Sequence, residues 1–175
     1  MKPYSIVAAT ALILAACTPP TGDAAPSSSE GEAPAAPSAP ASDFSPTDLA
    51  ALILTRGAEG ALTDLMAQPE DPRWQALLAG VSAGDTAWLA AAAPLVPALD
   101  GEAAESLFSS LGAALAEQPA AVLAAAGADG MDSVCQAYPP DATAAKLTAL
   151  RSIPDSSPVA GLRDDCIEML NQPVE

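Results

Sequence analysis

From Phe44 onward, apolar side chains recur three and four positions apart, the repeat of a helix with one buried face, and the intervals between runs are filled by Gly, Pro, Asp and Ser. Ser45-Pro46-Thr47-Asp48 predicts the first start. Ser45 caps, Pro46 occupies the first turn where its missing N–H costs nothing, and Asp48 reaches back to the cap. Leu49, Leu52 and Ile53 make an apolar face up to Gly57. Beyond a break between Gly57 and Gly60, Leu62, Leu65 and Met66 predict a second short helix that stops before Pro69. Asp71-Pro72 opens the next, in which Trp74, Leu77, Leu78 and Val81 fall at i, i+3, i+4 and i+7.

Gly84-Asp85 ends that helix and caps another carrying Trp88, Leu89, Ala92, Leu95 and Val96. Pro94 lacks the N–H a continuing helix needs, which predicts a kink or stop near Ala93. Asp100-Gly101-Glu102 begins a helix with Leu107, Phe108, Leu111, Ala114 and Leu115 on one side, and Pro119 to Ala126 reads as a short apolar helix. Gly127 to Gly130 breaks the pattern before about two turns, Met131 to Ala137, that carry Cys135. After Tyr138-Pro139-Pro140, with Asp141 as cap, Ala144, Leu147 and Leu150 predict one buried face. Past the Ile153 to Pro158 loop, Val159, Leu162, Cys166 and Met169 or Leu170 predict the last, with Arg163, Asp164 and Asp165 turned to water.

No segment alternates with period two for long enough to make a strand, so the expected fold class is all-α: short helices paired as antiparallel hairpins. Trp74 to Asp85 and Trp88 to Asp100 start alike, which also raises a HEAT- or tetratricopeptide-like helical repeat, although neither signature is present in full. The arrangement Trp74 to Val81, Gly84-Asp85, Trp88-Leu89 is similar to a set of uncharacterised bacterial α-helical proteins, and that likeness implies no activity. Alanine supplies much of the expected core, which lets helices approach closely but buries little apolar area per residue.

The first 43 residues have a different character. Lys2, the apolar run Ile6 to Ala16 and the small residues before Cys17 have the build of a signal peptide, and the run is well short of the roughly 20 residues that span a bilayer. Leu14-Ala15-Ala16-Cys17 resembles the lipobox of bacterial lipoproteins. The resemblance covers only the leader and implies cleavage before Cys17, with acyl chains such as palmitate on its sulfur and new amino group. It divides the chain into a lipoprotein signal peptide at 1–16, a lipidated cysteine with a disordered linker at 17–43, and an α-helical domain at 44–172. Thr18 is not the Asp that in enterobacterial lipoproteins favours inner-membrane retention, so the resemblance implies an outer-membrane anchor facing the periplasm. Between Thr18 and Ser42 the chain is Pro, Ala, Ser, Thr and Gly with a few acids; it has no large apolar side chain to offset the entropy of ordering. Such a tether spans on the order of 30 Å on average and about 75 Å when stretched.

Charge and residue types then narrow the chemistry. Twenty-two acidic side chains all lie beyond Cys17, against five basic ones, a balance of −17 once the leader is removed. That surface repels nucleic acid and anionic lipid, so membrane attachment falls to the acyl chains and partners are sought among envelope proteins. The 175 residues contain no histidine, which excludes Ser-His-Asp and Cys-His catalysis, the usual zinc sites and the ordinary proton shuttle at neutral pH. If Cys17 is acylated, Cys135 and Cys166 remain as an even pair in an oxidising compartment, where a disulfide is the default over free thiols; no Cys-x-x-Cys spacing suggests a redox role.

Trp74 and Trp88 are candidate groove residues, although a core pair on facing helices accounts for them more simply. Asp129-Gly130-Met131-Asp132 lacks the ladder of an EF-hand and reads as a turn with a helix cap. Asp164, Asp165 and Glu168 read as a solvated face, and Ser109-Ser110 has no base to activate it. No catalytic residue, metal site or cofactor is expected. The favoured function is that of a non-catalytic, lipid-anchored envelope protein with a helical interaction domain. The alternatives are a small-ligand or lipid carrier using a groove between helices and, last, an enzyme built on paired carboxylates.

Overall fold

Ser45 starts the first helix by the predicted mechanism. Its hydroxyl oxygen accepts from the Asp48 amide at 3.3 Å, and the Asp48 carboxylate accepts from the Ser45 amide at 2.9 Å, so two otherwise orphaned N–H groups are satisfied. The computed structural model describes residues 43–68, 70–136 and 142–172. Among them are seven α-helices and no strand: α1 Pro46–Leu65, α2 Pro72–Ser82, α3 Thr86–Ala92, α4 Gly101–Ala114, α5 Pro119–Val134, α6 Thr143–Arg151 and α7 Ala160–Leu170. Residues 1–42, including Cys17 and its leader, lie outside the described part, as does the Asp141 cap.

Each turn has a local cause. Gly57, at φ 73° and ψ 169°, bends α1 without ending it, and Gly127, at φ 59° and ψ −167°, does the same to α5. The two predicted breaks are thus single-residue bends inside longer helices. Gly84 closes α2 in a Schellman turn: its amide donates to Val81 O at 2.9 Å, and the next amide, Asp85, donates to Gly80 O at 3.1 Å. Asp85 then caps α3 by accepting from the Ala87 and Trp88 amides. Pro94 ends α3 as predicted; the backbone tightens into a 3-10 helix over Ala93–Ala98. Of the two segments that start alike, the one from Trp74 is therefore an unbroken helix and the one from Trp88 is divided.

α5 is the central element. It packs against α3, the 3-10 helix, α4, α6 and α7, and buries Val122, Leu123, Ala125, Ala126, Gly130 and Val134. α2 lies on α4, and α1 covers α3 and the 3-10 helix. The largest wholly buried side chains are nearly all leucines, with alanines between them at the close approaches. One approach is tight: Gly80 of α2 lies under the Trp88 indole of α3, and a Cβ there would overlap the ring. Gly130 of α5 likewise faces Phe108 of α4, whose Cε1 would stand 2.6 Å from an added Cβ. Both glycines are helical, so the need is for space and not for backbone freedom.

Candidate functional site

Of the sequence-predicted site residues, the structure brings together Cys135 and Cys166. Trp74 is 5% exposed and belongs to the core. Trp88 is half-buried and meets Phe44, with ring centroids 6.0 Å apart and planes tilted by 41°. Among the described residues, the indole of Trp88 pairs with that phenylalanine and not with Trp74. Asp129 and Asp132 sit exposed on α5 just past its bend, and no three His, Cys, Asp or Glu side chains among the described residues gather to hold a metal ion. Ser110 donates to the Ser106 carbonyl one turn back.

Cys135 and Cys166 form a disulfide. Both are wholly buried, and the bond fastens the C-terminal end of α5 to the middle of α7. On the same helix Arg163 departs from expectation: it is 9% exposed, not turned to water. Its Nη1 donates to Ile153 O at 2.6 Å and meets Asp155 at 2.8 Å, while Nη2 meets Asp164 at 2.8 Å. One guanidinium thereby ties the α6–α7 loop to α7 through a buried charge-assisted hydrogen bond to the Ile153 carbonyl. Asp164 beside it, and then Asp155, hold the guanidinium pKa above its ordinary value. Asp165 is exposed as expected.

Two other ion pairs are placed by a helix start and by a helix bend. Asp71 caps α2 through the Arg73 amide at 2.8 Å and accepts from the Arg73 guanidinium at 2.7 Å. Its carboxyl is 6% exposed, and the bond from Arg73 pulls its pKa below the usual range against the opposing effect of burial. Arg56 reaches across the Gly57 bend to Asp64 at 2.8 Å, both of them substantially exposed.

Lys146 was not foreseen as an interior residue. The face predicted for α6 was Ala144, Leu147 and Leu150; the buried pair is Lys146 and Leu150, with Leu147 half-buried and Ala144 exposed. Lys146 is 5% exposed, and burial pushes its amine below the ordinary lysine pKa. Its Nζ lies over Gly112 of α4: a Cβ built there would be 3.8 Å from Nζ and 3.6 Å from the Val134 carbonyl oxygen at the end of α5. The absent side chain leaves a hollow between α4, the end of α5 and the start of α6, within an open groove of about 680 Å³. Phe108, Ala113, Ala116 and Val134 give its walls an apolar character; Ser109 and Ser133 add hydroxyls, and exposed Glu105 lies along α4. The sequence signal for this site was that Lys146 is the only lysine besides Lys2.

What the fold and this site define is an all-α domain with one disulfide and a groove holding a buried amine. Comparison with protein families, curated proteins and solved structures finds no match.

Proposed function

We propose that the chain is a lipid-anchored protein of the bacterial cell envelope, held at the outer membrane by acyl chains on Cys17 and facing the periplasm. Its helical domain would engage an envelope protein partner without performing catalysis. The observation that carries this reading is the assignment of the three cysteines. Two are joined inside the domain, a bond suited to an oxidising compartment, and the third stands at the end of a lipobox-like leader. Two acyl chains suffice for stable attachment, since each buried methylene contributes about 0.8 kcal/mol. A linker of this composition would let the domain work clear of the bilayer. Further support comes from the sequence, which holds no histidine and distributes its carboxylates widely.

The test is metabolic. Cells expressing the full chain and fed labelled palmitate should label the wild type and not Cys17→Ala, and the wild type should fractionate with the outer membrane. Crosslinking in the intact envelope, read by mass spectrometry, should recover one predominant protein partner that is missing when Cys17→Ala is expressed. An unlabelled wild-type chain would reject the anchor, and a labelled chain that recovers no reproducible partner would reject the interaction role.

A further inference from the structure

We infer that the groove between α4, the end of α5 and α6 is a binding site for a small monocarboxylate with an apolar body, its carboxylate meeting Lys146 and its chain lying along Phe108, Ala113 and Val134. The proposal stands whether or not Cys17 is acylated, because every group it uses lies between residues 104 and 146.

Three observations lead there. The first is where the cation sits. Lys146 stands nearly buried in the groove wall and is the one cation among the groove's described lining residues. Burial sets the ammonium back from bulk water, so its attraction for an anion in the groove is weakly screened. An ammonium carries three N–H donors, so a bond within the protein leaves others for a ligand.

The second is the space beside it. Gly112 presents no side chain toward Nζ, and a point 3.8 Å from the nitrogen lies over bare α4 backbone. The third is the sorting of the walls. Among the described lining residues apolar surface predominates and the one carboxylate, Glu105, is exposed on α4, so a carboxylate is drawn to Lys146 while the apolar body follows the aromatic and aliphatic surface. Charge complementarity thus selects an anionic head, and the apolar stretch of wall formed by Phe108, Ala113 and Val134 favours an apolar chain behind it.

Octanoate is the probe, with 1-octanol as its uncharged counterpart, each titrated into the folded protein by calorimetry and by NMR. Octanoate should bind at least tenfold more tightly than octanol. In Lys146→Met, which keeps the volume of the side chain and removes its charge, octanoate should lose at least tenfold while octanol changes less than twofold. A second readout needs no variant: the Lys146 Cε resonance, followed against pH, should report a pKa raised by at least one unit when octanoate is bound. The proposal is overturned if octanoate does not bind the wild type, if octanol binds equally well, or if the Lys146 titration is the same with and without octanoate.

Discussion

Replacing Gly80 by alanine sets two opposite effects against each other. Gly80 is helical and lies in the last turn of α2, where helix propensity alone favours alanine by at most about 1 kcal/mol. The new Cβ, however, would overlap the Trp88 indole, a rigid ring that also packs against Phe44. The ring cannot swing aside like the end of a flexible chain, so α2 and α3 must separate. Overpacking of this kind costs about 3 kcal/mol at the upper end of its usual range. The net loss is then about 2 kcal/mol, a Tm about 7 °C lower for a domain of roughly 130 residues. Gly161→Ala is the control: it is helical and exposed, with no atom within 4 Å of the added Cβ, and should raise stability by about 0.5 to 1 kcal/mol. Scanning calorimetry on both variants measures the contrast. Trp88→Ala closes the cycle, because in that background Gly80→Ala should turn mildly stabilising, with a coupling of about 3 kcal/mol. A Gly80→Ala protein as stable as the wild type, or a coupling below about 0.5 kcal/mol, would refute the packing account.

Three further outcomes follow from other parts of the fold. Reducing Cys135–Cys166 frees a loop whose ends are 31 residues apart. On the chain-entropy account the loss is about 3 to 4 kcal/mol, and calorimetry with and without a phosphine reductant should show Tm fall by about 10 to 15 °C. Asp71→Asn keeps a capping side chain but loses the ion pair with Arg73, which partial exposure of the arginine limits to about 1 kcal/mol at pH 7. Because the folded carboxyl titrates below its usual 3.8, that contribution is complete above this value and disappears as pH falls through the lower folded pKa; urea unfolding should show wild type and variant converging by pH 2. Lys146 runs the other way. Its folded pKa lies below 10.5, so the unfolded chain binds more protons between the two values, and wild-type stability should rise relative to Lys146→Met as pH climbs through that window.

What could be read from the sequence was local. The Ser45–Asp48 box, the Gly84-Asp85 junction and the stop at Pro94 depend on residues within four positions of one another, and each appears where the side chains dictate. The cysteine pairing was legible by counting. The bends at Gly57 and Gly127 were located but taken as interruptions, since a sequence shows that a glycine permits positive φ and not whether the next turn resumes. Arg163 was misplaced, and Lys146 passed over, for a common reason. Periodicity assigns cations to water, whereas their burial depends on what arrives from elsewhere: the Gly112 surface of α4 for one, the Ile153 carbonyl for the other. Trp88 met Phe44, distant in sequence, and its bed on Gly80 depends on helix crossing, which no pattern along the chain encodes. The groove escaped detection because its walls come from segments far apart in sequence, each unremarkable on its own.

The bend in α1 bears on how the domain responds to being pulled. Before Gly57 the helix buries only Leu49 completely, with Phe44, Leu52 and Ile53 partly covered; after it come Ala61, Leu62 and Leu65. Tension arriving through residue 43 would therefore peel the first arm away turn by turn, at low force, and meet firmer resistance at the bend. The far end of the molecule, cross-linked between α5 and α7, would stay intact. Such a domain yields length at its leading edge before its interior is disturbed, giving it the behaviour of a compliant coupling.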